Sequence, residues 1–237
     1  MRALIYIVAS VLFIIFLFLT SVVYRFHHHV KSDNKEIIRG PFKVIELNSF
    51  LTPAECDEII EIARESGNMK VAETLDTGND TLSSYSPDKR SSKTVFLPDS
   101  SSPIIEKIAE YFADWTGLPI ENQEQIQVAS YDAEGKFDDH YDACDSSPEV
   151  CERFNRGSGH RVATMLIYLN DDYEGGHTVF GKVDPVIDIR PRIGKAILFE
   201  DSLDEEIILE SMHRGEQVSK GNKWICTKWV HSKKWNG

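Results

Sequence analysis

The spacing of apolar residues divides the chain into three textures. Residues 3–24, ALIYIVASVLFIIFLFLTSVVY, carry no charge, with Arg2 before them and Arg25 after. A run of that length and composition is enough to cross a bilayer as one helix. It is too long for the apolar core of a cleaved signal peptide, and YRFHHHVK follows it where a small-residue cleavage site would stand. The pattern therefore predicts an uncleaved signal anchor over 1–25, a polar stalk over 26–40, and one folded block from 41 to 237. Residues 42–47, FKVIEL, open that block as a strand-like run. Helical texture follows. Thr52 can cap, Pro53 takes the first helical position and Glu55 closes a capping box. Ile59, Ile60 and Ala63 share a face, and Gly67 stops the helix. A second helix is predicted from Ser102-Pro103 to Gly117.

From residue 124 the texture changes to short apolar runs: QIQVASY, KFDDHYD, RVATMLIYLN, HTVFG, VIDIRP, KAILFE, IILESMH, EQVSK and KWICTKWVH. Turn residues separate them. Many short strands with such punctuation indicate an all-β sandwich or barrel. The expected architecture is mainly β with flanking helices: a double-stranded β-helix, or jelly-roll, core with two supporting helices before it and one transmembrane helix at the start. Residues 72–92 are rich in Ser, Thr, Asp and Asn and have no period, which predicts a long loop that is either functional or disordered.

Charge narrows the choice of partners. Residues 36–237 hold 22 basic and 37 acidic residues, a net of −15. Phosphate binding needs positive surface, so nucleic acid is not an expected partner. An acidic surface permits a basic substrate, or serves solubility alone. The four cysteines form no CxxC pair, which argues against a zinc ribbon. Cys144 and Cys151 lie in one polar loop and are either a disulfide, which a lumenal compartment favours, or two free thiols.

The candidate chemistry begins at His140 and Asp142. On a strand, residues two apart point to one side, so an imidazole and a carboxylate would converge. His213 can complete the set after the chain has crossed the barrel. Two histidines and one carboxylate with open positions are the ligand set of non-haem Fe(II) oxygenases. A hydrolytic zinc motif of the HExxH type is absent. Lys223 follows His213 by ten residues, across a Lys-Gly-Asn turn that would place the two on neighbouring antiparallel strands. Lys223, Ile225, Thr227 and Trp229 would share a face. An ammonium among such neighbours is costly unless paired. A dicarboxylic acid chelating iron would offer its far carboxylate to that lysine, which points to 2-oxoglutarate.

The stretches QVASYDAEGKFDDHYD, HRVATMLIYLNDDYEGGHTVF, RPRIGKAILFED and SMHRGEQVSKGNKWICTKWV resemble the catalytic domain of short, membrane-anchored prolyl 4-hydroxylases of the plant, algal and large-virus kind. Weaker similarity reaches back through FLTPAECDEII and KRSSKTVFL. The resemblance implies His140, Asp142 and His213 as iron ligands, and Lys223 as partner of the distal carboxylate of 2-oxoglutarate. It implies that Tyr131 and Thr164 hydrogen-bond the same carboxylate and that Trp229 lines the peptide site. Arg90, Ser91 and Ser92 would belong to a mobile segment closing over the peptide. The cofactor set would be Fe(II), 2-oxoglutarate, dioxygen and ascorbate. His177 stands where the family has Glu, Gly181 replaces a usual Pro, and HRGEQV replaces HAGCPV. These departures bear on substrate preference and remove no ligand. His177 reads as a strand entry, and His160 and His231 as surface or core histidines.

The expected activity is hydroxylation of peptidyl proline to 4-hydroxyproline in proline-rich or collagen-like polypeptides, with succinate and carbon dioxide as co-products. The alternatives are another protein-directed 2-oxoglutarate oxygenase, such as a lysyl hydroxylase, and a non-catalytic module binding proline-rich chains. The expected location is a single-pass membrane protein of type II with its catalytic domain in the lumen of the endoplasmic reticulum. The nearly balanced charges at Arg2 and Arg25 say little about orientation.

Overall fold

A computed structural model describes residues 34–76, 81–84, 86 and 88–237. The predicted anchor and the first part of the stalk lie outside the described residues. Among the described residues no helix is long and apolar enough to cross a membrane.

Both predicted helices form where their caps are. α1 spans Pro53–Glu65, with the Thr52–Glu55 capping box in place, and α2 spans Pro103–Thr116, with Ser102 as N-cap and Gly117 left-handed at its end. A third, short helix, α3 (Pro148–Phe154), occupies what the sequence suggested was loop; Ser147 caps it and Pro148 opens it. The strands are β1 (Asn34–Arg39), β2 (Phe42–Leu47), β3 (Lys70–Val71), β4 (Thr74–Asp76), β5 (Thr81–Ser84), β6 (Lys93–Leu97), β7 (Ile126–Tyr131), β8 (Phe137–His140) and β9 (Arg161–Tyr168). They continue as β10 (Glu174–Gly175), β11 (Thr178–Phe180), β12 (Ile187–Ile189), β13 (Ala196–Glu200), β14 (Ser202–Leu203), β15 (Glu206–Ile207), β16 (His213–Gly215), β17 (Val218–Lys220) and β18 (Lys223–His231).

An eight-stranded major sheet runs β1-β2-β13-β9-β18-β7-β6-β3, and a four-stranded minor sheet runs β12-β11-β16-β8. This is the expected jelly-roll with supporting helices. Two local expectations change. The stalk ends early, because its last residues form β1 at the edge of the major sheet. The long 72–92 segment is not structureless: β4 and β5 pair as an antiparallel hairpin within it.

Alternation along the central strands sorts residues between two cores. Ala163, Met165 and Ile167 of β9 and Trp224, Cys226 and Val230 of β18 pack against Ile59, Ile60, Ile105, Ile108 and Phe112 of the helices. The opposite faces, with Leu166, Tyr168 and Ile225, meet Phe180, Ile187 and Ile189 of the minor sheet. Truncating one of the fully buried residues, such as Ile108, would cost about 2–5 kcal/mol. The inner core fills one end of the space between the sheets, and the other end is left open as a cavity.

Candidate active site

A cavity of about 880 Å³ opens between the sheets, lined by residues of β6, β7, β8, β9, β16 and β18. Strand pairing builds its metal-binding corner. His213 of β16 is directly opposite His140 of β8, so the two imidazoles lie side by side with ring centroids 4.3 Å apart. β8 ends at His140; Asp142 reaches the same corner from the bend that follows, not from the strand itself. Its Oδ1 is 3.7 Å from His140 Nε2 and its Oδ2 is 3.8 Å from His213 Nε2. These gaps are too long for hydrogen bonds, and two metal–ligand bonds of about 2.1 Å each would span them. One ligand atom from each of the three lies within 4.8 Å of the others.

Each histidine is turned by its backbone. His140 Nδ1 is 2.8 Å from the Asp138 carbonyl and His213 Nδ1 is 2.9 Å from the Ser211 carbonyl. A carbonyl only accepts, so Nδ1 carries the proton and the Nε2 lone pairs face Asp142. Phe137 stacks on His140 at 3.5 Å between centroids, and the Arg90 guanidinium lies 4.7 Å over the Phe137 ring. Burial first, and the neighbouring His213 second, hold His140 far below its ordinary pKa, which keeps it neutral. Burial opposes ionisation of Asp142, but His213, His140 and Arg161 outweigh it and keep the carboxyl below the usual range. A divalent metal requires a carboxylate and imidazoles with a free nitrogen, and the Nδ1–H tautomers leave both Nε2 lone pairs open toward that position. The residues present therefore fit Fe(II).

Lys223 enters the cavity from a different sheet. It lies on β18 of the major sheet, whereas His213 lies on β16 of the minor sheet, so the two are not on neighbouring strands. The intervening β17 pairs with β10 and carries the chain across. Lys223 is 3% exposed, and its ammonium donates to the Gly176 carbonyl at 2.7 Å. A side chain at Gly176, where φ is +66°, would crowd Lys223 Cδ at 3.0 Å. No carboxylate of the described residues forms an ion pair with it, and burial lowers its pKa to about 7. Tyr131, opposite it on β7, puts its ring 5.4 Å from the ammonium. The inward face of Lys223, Ile225, Thr227 and Trp229 lines the cavity as the spacing predicted.

Thr164 does not join that group. It pairs with Trp229, six residues along β18 from Lys223, roughly 20 Å at the rise of a strand. Its hydroxyl lies against Asp142 instead, at 2.8 Å from Oδ2. The threonine near Lys223 is Thr178, a buried residue whose Oγ1 accepts from Tyr168 at 2.6 Å and which lines the cavity. Arg90, Ser91 and Ser92 are root rather than tip of their segment. Arg90 donates to Ser92 Oγ at 3.0 Å and to Gln127 Oε1 at 2.8 Å, and the Ser91 N–H donates to the Lys136 carbonyl at 3.0 Å. Arg90 lines the cavity as part of a fixed wall. Residues 77–80, 85 and 87 of the segment lie outside the described residues.

Sequence reasoning missed the support behind Asp142. Arg161 donates to Glu124 Oε1 at 2.6 Å and to the Asp142 carbonyl at 3.1 Å, and its guanidinium lies 4.0 Å over the Trp229 ring. His231 Nε2 meets the same Glu124 oxygen at 2.9 Å, a core histidine as predicted. The indole N–H of Trp229 faces the Asp142 charge without reaching an acceptor in hydrogen-bonding geometry. The one sequence signal was an arginine heading an apolar strand. His177 is outside the metal corner: it pairs with Asp188 Oδ1 at 2.8 Å beside the start of β11. Cys144 and Cys151 form a disulfide that ties α3 to the chain just after Asp142.

A jelly-roll with two histidines on paired strands of its minor sheet, and a carboxylate from the bend after one of them, carries the ligand set of non-haem Fe(II) oxygenases, and the comparisons agree. Residues 126–231 match the 2OG-Fe(II) oxygenase superfamily. Prolyl 4-hydroxylase 1 of Arabidopsis thaliana is 35% identical over 84% of this chain and 72% of its own length. Prolyl 4-hydroxylase 2 of the same plant is 34% identical over 82% and 72%. The viral collagen prolyl hydroxylase of Paramecium bursaria Chlorella virus-1, solved with 2-oxoglutarate, superposes with a TM-score of 0.62 at 25% identity, covering 79% of this chain and 94% of that one. The chain belongs to the prolyl 4-hydroxylase family.

Proposed function

We propose that the protein hydroxylates C4 of proline in proline-rich or collagen-like polypeptides. The observation that carries this reading is the shared cavity, with His140, Asp142 and His213 in one corner and a buried ammonium without a carboxylate elsewhere in its wall. Fe(II) held by the three side chains would supply oxygen activation coupled to oxidative decarboxylation of 2-oxoglutarate. The chain's own work is to bind and orient. Lys223 takes the far carboxylate of 2-oxoglutarate, with the Tyr131 and Thr178 side chains beside it. Phe137, Tyr141 and Trp229 give the cavity aromatic walls, the kind of surface on which extended polyproline II chains dock. Arg90, fixed by Ser92 and Gln127, presents its guanidinium at the same wall. The viral relative's collagen substrate and the plant relatives' names support this substrate class.

Residues 3–24 would anchor the enzyme in the membrane, and the disulfide favours an oxidising lumen such as that of the endoplasmic reticulum. Ascorbate would restore iron oxidised in unproductive turnovers. The test is to incubate the full-length chain with Fe(II), 2-oxoglutarate and a panel of proline-rich peptides. A mass gain of one oxygen on proline is expected, dependent on both cofactors and abolished by His140→Ala, Asp142→Ala or His213→Ala with the fold retained. If only lysine gained oxygen, or no peptide did while 2-oxoglutarate was consumed, the proline reading would be wrong.

A further inference from the structure

Thr164 and Asp201 form a buried chain behind the metal corner whose hydrogen atoms do not balance if both flanking carboxylates are ionised. Thr164 Oγ1 is 2.8 Å from Asp142 Oδ2 and 2.6 Å from Asp201 Oδ2. Both Thr164 and Asp201 are fully buried. A hydroxyl carries one hydrogen and can donate to one of these oxygens only. The second contact needs a hydrogen from the other side. Asp142 is the carboxyl that must stay ionised, because it faces the metal position between His140 and His213. Asp201 faces no metal position, and among the described residues its Oδ1 is buried without any hydrogen-bond partner. An ionised carboxylate left in that state would carry a large desolvation cost.

We propose that Asp201 is held as the neutral acid and acts as a positioning residue. Its O–H donates to Thr164 Oγ1, and the Thr164 O–H in turn donates to Asp142 Oδ2. The chain steadies the metal-binding carboxylate without placing a second negative charge behind it. Burial, followed by the charge on Asp142, pushes the Asp201 carboxyl well above its ordinary range and outweighs the Thr164 hydrogen bond and Arg161, in the same direction as the geometry. The inference rests on Asp142 being a metal ligand.

The test uses the full-length protein, freed of metal and titrated with Co(II) as a redox-stable probe. Thr164→Val breaks the chain and should lower Co(II) affinity by about 10- to 100-fold and alter the visible spectrum of the bound ion. Thr164→Ser should restore both. Asp201→Asn keeps a neutral donor facing Thr164 and should bind Co(II) within about threefold of wild type, since no link of the chain is lost. Infrared difference spectra of metal-free wild type against Asp201→Asn at pH 7 should show a carboxylic-acid C=O stretch lost in the variant. That readout holds even if a Thr164 variant fails to fold. Absence of the acid band, an affinity loss in Asp201→Asn as large as in Thr164→Val, or wild-type affinity and spectrum in a folded Thr164→Val would each overturn the proposal. His140→Ala separates the two ideas: if it leaves Co(II) binding intact, the metal site itself is misplaced, while the infrared band still reports on Asp201.

Discussion

Strand β18 buries two lysines five residues apart, on opposite faces, and their surroundings differ in kind. Lys228 faces the helices. It donates to the Asp99 carboxylate and, at 2.7 Å, to the Glu124 carbonyl. Lys223 faces the cavity, where among the described residues its ammonium donates to the Gly176 carbonyl and forms no ion pair. Burial lowers the pKa of both, but Asp99 answers it at Lys228, whereas at Lys223 only the more distant Glu216 does. A buried charge that the chain pairs is part of the fold. A buried charge that the chain leaves unpaired marks where a ligand of opposite charge completes the structure.

The contrast is sharpest in substitution. Lys223→Ala should raise the 2-oxoglutarate requirement by two to three orders of magnitude, because a buried carboxylate left without its partner costs about 3–5 kcal/mol. Metal binding and thermal stability should hold, and Lys223→Arg should fall between the two. A Lys223→Ala enzyme with an unchanged 2-oxoglutarate dependence would remove the distinction between the lysines. Lys228→Ala should do the opposite. It should cost about 2–3 kcal/mol in denaturant unfolding, discounted because Asp99 is partly exposed, and leave 2-oxoglutarate dependence untouched.

The pH dependence follows from the same asymmetry. With a pKa of about 7 in the free enzyme, Lys223 loses its proton as pH rises, and pairing with a carboxylate requires the proton back. Apparent 2-oxoglutarate affinity should therefore fall about fiftyfold between pH 7 and 9, approaching tenfold per unit. Lys223→Arg should give a flat profile over that range, and a flat wild-type profile would show that the lysine stays charged without the ligand. The smallest effect should come from Thr178→Val. Losing the acceptor for the Tyr168 hydroxyl costs about 1 kcal/mol, read as a few degrees in melting temperature and a few-fold in 2-oxoglutarate affinity.

The legible parts of the sequence were those set by neighbours along the chain. Caps at Thr52 and Ser102 placed both long helices, and alternation along β18 assigned Lys223, Ile225, Thr227 and Trp229 to one face. The metal corner was legible through residue type, since His140, Asp142 and His213 form a recognisable donor set. Placement that depends on strand pairing was not. Which sheet takes His213 and which takes Lys223 depends on partners far away in the chain, and the turn between them suggested the wrong pairing. Thr164 was expected beside the 2-oxoglutarate carboxylate, but its level along the strand follows from register with Trp229, which no local pattern encodes. Glu124 and Asp201 each lie 37 residues from the groups they touch, Arg161 and Thr164.

The Cys144–Cys151 bond bears on how such an enzyme is handled at the bench. It begins two residues after Asp142, and Cys144 itself lines the cavity. Closing a loop this short stabilises by about 2–3 kcal/mol in the chain-entropy picture, so opening it loosens the wall beside the metal corner. Thiol reagents such as dithiothreitol, added to protect ferrous iron in an assay, would also attack this cross-link. Ascorbate reduces ferric iron and leaves disulfides alone. Choice of reductant, and of an expression host whose folding compartment is oxidising, therefore decides whether the protein in the tube has the same cavity wall as the one described.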